Sequence, residues 1–150
     1  MNFRQLLISF LCLFSISITS AAEYNFTPRE RDAHKVKNFS PQVYLFNQKG
    51  ELIHYSNRFF PALKKAFANT EPVTNADKLK KNLLSLTQAP QDFNDYDFTL
   101  FFLAYDESIG PCPPCRKQEK IIEKIKDKMK DKKINHHIVN IIQETYYIDD

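Results

Sequence analysis

The sequence predicts an α/β fold in which a small mixed sheet is flanked by helices. The first observation is a nearly uninterrupted apolar run from Phe98 to Tyr105, because a strand that is apolar on both faces is expected at the centre of a covered sheet. A long amphipathic helix is predicted from about Pro113 to Lys133, and a further strand from His136 to Ile142. Earlier in the chain, Gln42 to Tyr55 predicts a β-hairpin whose turn contains Gly50, since glycine readily takes the positive φ that such a turn needs.

The first 22 residues predict a cleaved signal peptide. Arg4 gives a short positive region, residues 6–18 are almost wholly apolar, and small residues precede the expected cleavage site before Glu23. The apolar run is shorter than the roughly 20 residues that a membrane-spanning helix needs, and an uncleaved anchor is the alternative. The sequence therefore predicts a secreted protein, periplasmic or otherwise exported, with no stable membrane insertion after signal cleavage.

Beyond the signal peptide, we expect one domain at residues 41–150. Residues 23–40 are polar and have no apolar period, which predicts a flexible lead-in. Within the domain, apolar residues at helical spacing from Phe59 to Phe67 predict one helix. A stripe from Ala76 to Leu86 predicts another helix, with Thr74 as its cap.

Signal cleavage changes the cysteine count. The chain has three cysteines, of which Cys12 lies in the signal peptide, so only Cys112 and Cys115 remain. In an oxidising compartment such a pair forms a disulfide bond, but a loop this small gives little loop-entropy stabilisation. The pair is therefore expected to be chemical rather than structural. Loss of Arg4 lowers the net charge from +3 to +2, which is too small to predict nucleic-acid binding.

Thiol chemistry is favoured by the predicted order of elements, in which a strand and a short loop precede the C-x-x-C motif and a helix follows it. A sulfur at a helix N-terminus meets unpaired backbone N–H groups and the positive end of the helix dipole, and both favour the thiolate. Pro113 and Pro114 fit the first helical positions, where a missing N–H costs nothing, and Arg116 adds a positive charge. We therefore expect Cys112 to be the nucleophile and Cys115 the resolving thiol.

Two other interpretations of the cysteine pair remain open: an inert structural disulfide and a zinc site, since zinc sites also use C-x-x-C. A zinc site needs two more ligands, and the nitrogen donors are His34, His54, His136 and His137. The last two are adjacent on a predicted strand, so their side chains should point to opposite faces. At most one of them could join the cysteines easily, and we expect no metal site.

The stretch Phe101-Phe102-Leu103-Ala104 followed by Cys112-Pro113-Pro114-Cys115-Arg116 resembles the active-site region of exported thioredoxin-like thiol–disulfide oxidoreductases. The resemblance implies exchange with exported protein thiols or disulfides, a redox partner protein and no cofactor. Three departures stand out: no tryptophan precedes the motif, residues 106–111 lengthen the loop, and Phe101 occupies the position of the family's buried acid. The absent buried acid, together with the open question of the cis-proline, favours a second function, a redox-inactive thioredoxin-like binding module of an envelope assembly.

A further departure concerns the order of elements. The family carries a cis-proline, a strand hairpin and a final helix after the second cysteine, but only 35 residues follow Cys115 and none is proline. Residues 40–67 have that missing order, beginning with Ser40-Pro41. One hypothesis is a circularly permuted or rearranged fold, in which Pro41 is the cis-proline and Ser40 and Pro41 bind substrate beside Cys112. The other is an incomplete fold, in which Gln42 to Tyr55 is an ordinary leading hairpin.

Overall fold

The computed structural model describes residues 21–145, which form one five-stranded mixed sheet with helices on both faces. The predicted α/β class is confirmed at this level. The elements in chain order are β1 (Ala22–Phe26), α1 (Pro28–Ala33), β2 (Gln42–Asn47), β3 (Leu52–Ser56), α2 (Leu63–Ala66), α3 (Ala76–Thr87), β4 (Phe98–Tyr105), α4 (Pro113–Lys128) and β5 (Ile134–Ile141).

The strands lie in the order β1-β5-β4-β2-β3. β1 is parallel to β5, and β5 is parallel to β4. β2 is antiparallel to both of its neighbours, β4 and β3. The predicted apolar strand is therefore the central one, and the predicted hairpin forms one edge of the same sheet.

Alternation along the central strands builds two apolar cores, because successive side chains of a strand point to opposite faces. On β4, Phe101 and Leu103 join the core beneath α3, whereas Leu100 and Phe102 join the core beneath α4. Leu83 of α3 and Ile122 of α4 are almost fully buried in these two cores. Burying one such side chain contributes about 1.5–3 kcal/mol, so the two helices hold the sheet from both sides.

The prediction that residues 23–40 are a flexible lead-in without regular structure is wrong for residues 23–33, which contain most of β1 and all of α1. β1 pairs with β5 at the edge of the sheet, and α1 begins at Pro28 directly after it. β1 was missed because only Tyr24 and Phe26 face the core, while the other side chains are polar or small and exposed. α1 carries a capping box between Thr27 and Glu30, with both reciprocal hydrogen bonds present.

Other predicted elements differ at their ends. The helix expected over Phe59 to Phe67 is only the single turn α2, and α4 stops at Lys128. α3 forms where the apolar stripe predicts it, but its N-cap is Asn75, without a side-chain cap bond, rather than Thr74. Most of the predicted signal peptide lies outside residues 21–145. Within those residues, no helix is both long enough and apolar enough to cross a membrane.

Candidate active site

The cysteine pair lies where the chain passes from β4 to α4. Cys112 is the N-cap residue of α4, Pro113 opens the helix, and a disulfide joins Cys112 to Cys115 with their Cα atoms 5.2 Å apart. Cys112 is half-buried, whereas Cys115 is 5% exposed and packs in the core beneath α4. The predicted placement of the first sulfur at a helix N-terminus is confirmed.

Ser40 and Pro41 lie directly beside the disulfide. The Ser40-Pro41 peptide bond is cis, and β2 begins one residue later, pairing with β4. The Ser40 Oγ atom is 3.0 Å from the Cys115 Sγ atom and 3.9 Å from the Cys112 Sγ atom. The hypothesis of a permuted order predicts a cis-proline at Pro41, and the cis bond confirms that part of it. The role of Ser40 and Pro41 in substrate binding stays a prediction.

The sheet register explains why Ser40 reaches the sulfurs. Gln42 is opposite Leu103 in the antiparallel pair, so continuing the register puts Ser40 opposite Tyr105. The Tyr105 N–H, at the last residue of β4, donates to the Ser40 Oγ over 3.0 Å. The Ser40 hydroxyl thus accepts the hydrogen bond that a backbone carbonyl would accept at the end of the β2–β4 pair. Its oxygen lies beside the first turn of α4.

Gln42 fixes the backbone of the segment that precedes Ser40. It is fully buried, and its amide nitrogen donates to the carbonyl groups of Lys37 and Phe39 over 2.7 and 2.8 Å. Its amide oxygen accepts from the hydroxyls of Tyr44 and Tyr55 over 2.9 and 3.0 Å. Sequence reasoning missed both Gln42 and Tyr105 as site residues. A glutamine next to Pro41 in an apolar strand was the available signal for the first, whereas Tyr105 acts through its backbone.

A small cavity of about 150 Å³ lies against the disulfide. Arg116, which was expected to favour a thiolate, lies 3.6 Å from Glu107 of the preceding loop and is exposed. Hydrogen bonds from the Ser108 side chain and backbone lower the pKa of Asp106. The charged residues that line the cavity are Asp106, Glu107, Arg116 and Glu119. The residues that lengthen the loop therefore bring acidic groups to the cysteines.

Phe101, the strand residue that the sequence resemblance aligns with a buried acid, lies in an apolar environment. Phe101 is fully buried, and its ring stacks on the His137 ring with centroids 4.3 Å apart and an 8° interplanar angle. His136 faces the opposite core, with its Nδ1 atom 3.5 Å from Lys126 Nζ of α4. The two histidines thus point to opposite faces, as the strand period predicts. Within residues 21–145, no three metal-ligating side chains cluster closely enough to hold an ion.

The fold and site define an α/β protein with a cysteine pair at a helix N-terminus, next to a strand that directly follows a cis-proline. No protein-family model matches the chain, and neither a curated protein nor a solved structure matches it significantly. A larger cavity, of about 380 Å³, lies between the hairpin and α3 and carries the side chains of Lys35, Lys37 and Lys78. This cavity does not include the cysteines.

Proposed function

We propose that this protein exchanges thiols and disulfides with exported proteins, using Cys112 as nucleophile and Cys115 as resolving thiol. The observation that carries the proposal is the position of the disulfide. It lies at the N-terminus of α4, with the half-buried Cys112 first and the buried Cys115 one turn later. Exposure and backbone N–H groups favour attack by the first sulfur, and the second is held within reach of it.

The exchange conserves atoms and electrons. In the reducing direction, the Cys112 thiolate attacks a substrate disulfide, forms a mixed disulfide and releases one substrate thiolate. The Cys115 thiolate then attacks the Cys112 sulfur, so that the Cys112–Cys115 bond forms and the bond to the substrate breaks. The second substrate sulfur leaves with the electron pair and takes a proton from water. The substrate gains two electrons, and the dithiol loses two.

The proposal includes a thioredoxin-like fold in rearranged order, in which the hairpin lies ahead of the cysteines but is itself preceded by β1 and α1. The order Ser40-Pro41, β2, glycine turn, β3, helix is the order that the family carries after its second cysteine. Its supporting contacts are the antiparallel pairing of β2 with β4 and the approach of Ser40 to both sulfurs. In this arrangement, Ser40 and Pro41 form the edge against which an extended substrate segment lies.

A protein substrate suits the surface beside the disulfide. Among residues 21–145, the large hydrophobic side chains that are exposed are Phe39 and Ile109, at 51% and 38%. Phe39 directly precedes Ser40, and Ile109 is in the loop before Cys112, so apolar groups are available where a polypeptide would approach. We propose a periplasmic or otherwise exported location on the basis of the N-terminal sequence alone.

The reduction potential of the pair is the first test. Equilibration in glutathione buffers, followed by alkylation and mass spectrometry, should give a potential above about −300 mV, since structural disulfides in secreted proteins lie below that value. With both thiols reduced, an alkylating reagent should modify Cys112 before Cys115. Cys115→Ser should accumulate a mixed disulfide with a model disulfide peptide, and the matched variant Cys112→Ser should not. A potential below that limit, together with no mixed disulfide, would contradict the proposal.

A second candidate is a binding module in which the disulfide is inert. The observation that favours it is Phe101, which leaves no ionisable side chain at the position of the family's buried acid. A binding module predicts that a Cys112→Ala, Cys115→Ala double variant keeps all partner binding and that the potential is that of a structural disulfide. The same redox titration therefore separates the two candidates.

A further inference from the structure

The contacts of Ser40 determine where its hydroxyl proton can point. The Tyr105 N–H donates to the Ser40 Oγ over 3.0 Å, so the oxygen is an acceptor on that side. Its other polar contacts are with Cys115 Sγ at 3.0 Å and Cys112 Sγ at 3.9 Å. Because a hydroxyl carries one proton as well as its acceptor lone pairs, the Ser40 proton is available to the Cys115 sulfur.

Cys115 is the sulfur that most needs such a donor. It is 5% exposed and packs among apolar side chains of the core that contains Ile122. Apolar burial disfavours a thiolate, because the anion loses its hydration. A hydroxyl that donates to the sulfur replaces part of that hydration, and hydrogen bonds to an ionised acceptor are roughly twice as strong as neutral ones.

We infer that Ser40 is a catalytic hydrogen-bond donor whose hydroxyl stabilises the Cys115 thiolate during the resolving step. The inference rests on the proposed exchange reaction and adds a role that the cysteines alone do not supply. In the mixed disulfide, the Ser40 O–H donates to the Cys115 thiolate while that sulfur attacks Cys112. When the Cys112–Cys115 bond has formed, the sulfur is neutral and the hydrogen bond weakens to the contact present in the disulfide form.

The hydrogen bond from the Tyr105 N–H fixes the position of the Ser40 hydroxyl. A serine on a free loop could turn its hydroxyl toward water, but here the Tyr105 N–H holds the oxygen at the end of β4. Gln42, the second residue after Ser40, is fully buried and bonds the carbonyl of Phe39, which fixes the backbone next to Ser40. The oxygen is therefore held over the Cys115 sulfur before any substrate arrives.

Other charged groups also face the pair, and the test must hold them constant. They come from the lengthened loop and from the first turns of α4, while β5 contributes the uncharged Ile138 and Asn140. The charged groups are Asp106, Glu107, Arg116 and Glu119. Ser40→Thr and Ser40→Val leave all of these in place, and they have nearly the same shape as each other. The two variants differ in the hydroxyl, which supplies both the proton for Cys115 and the acceptor for the Tyr105 N–H. Any steric cost at position 40 is shared, and the first release reports the structural cost of losing the Tyr105 contact.

The experiment follows the reduced protein with one equivalent of an aromatic disulfide reagent whose thiolate is coloured. The first release reports attack by Cys112, and the second reports resolution by Cys115, which the Cys115→Ser variant identifies by abolishing it. Ser40→Val should slow the second release about tenfold or more relative to Ser40→Thr, the effect of losing one hydrogen bond to a charged group. The first release should change much less, and the pH midpoint of the second should move upward in the valine variant.

Equal second-release rates and equal pH midpoints in the two variants would overturn the role of Ser40. So would an equal slowing of both releases in the valine variant with no shift of midpoint, which indicates a structural role only. If the unmodified protein releases no second thiolate, the proposed function fails, and the inference fails with it. The two failures are therefore separate results of one experiment.

Discussion

Protonation of His136 should make the protein sensitive to acid. This imidazole lies on β5 beneath α4 and is 5% exposed. Its pKa falls from 6.5 to about 3, first because burial removes water from the charged form, then because of Lys126 and His137. Glu123 also approaches the ring, at 3.9 Å, but its carboxylate is paired with Lys126 at 3.2 Å and is half exposed. Its attraction therefore does not offset the burial.

The sign of the effect follows from proton binding. The unfolded chain binds a proton at His136 below its usual pKa of 6.5, whereas the folded protein resists binding until about 3. The unfolded state is therefore the more protonated one, and stability is lost as the pH falls through this window. The loss from this one group is about 1.4 kcal/mol per pH unit, or about 3 kcal/mol by roughly pH 4. That is a large part of the 5–15 kcal/mol typical of a domain.

Urea unfolding across this pH range measures the effect. His136→Leu removes the titrating group. The unfolding free energy of this variant should therefore fall less steeply as the pH decreases, and the difference in slope should correspond to about one bound proton. Burial also lowers the pKa of His54 and of His137, so the comparison uses the difference between the two proteins. His34→Leu is the control, because that imidazole bonds Ser85 near the surface. Parallel acid limbs for His136→Leu and the unmodified protein would refute the reasoning.

Three further substitutions test the scaffold, each by urea unfolding. Gly50→Ala should cost about 1–3 kcal/mol or more, because φ is +73° and the new Cβ would lie 2.8 Å from the Phe93 ring, and a cost well below about 1 kcal/mol would contradict the argument. Thr27→Ala should cost about 0.5–2 kcal/mol through the lost cap of α1, and Thr27→Ser should restore it. Gln42→Leu should cost more than about 1–3 kcal/mol, since two tyrosine hydroxyls and two carbonyl groups lose their partner; a neutral result would exclude Gln42 as an organising residue.

The sequence predicts best those elements whose pattern is local and strong. The run from Phe98 to Tyr105 is buried on both faces, and its predicted limits match β4. The hairpin is as clear, because Gly50 marks the turn and takes a positive φ. Cys112 at the N-cap of α4 follows from the motif itself, since Pro113 and Pro114 fit only the first turn of a helix.

The edge strand and the first helix were harder to predict because little of them is buried. β1 gives the core only two side chains, which is too few for a recognisable period, and its place is set by pairing with β5 far along the chain. α1 has only six residues, fewer than two helical turns, so no apolar stripe can repeat. Its capping box and Pro28 were signals in the sequence. These signals indicate where a helix can begin, but they do not predict its length.

The contact between Ser40 and Cys115 depends on sheet geometry rather than on chain order. In an antiparallel pair, the start of one strand lies beside the end of the other, whichever of the two comes first in the sequence. β2 therefore delivers the residue before its first position to the end of β4, where α4 begins. A chain that placed the hairpin after the cysteines would make the same contact through the same pairing. The order of elements along the chain therefore does not alter the contacts of the site. Substitutions of Ser40, Cys112 and Cys115 are the ones that test the proposed function.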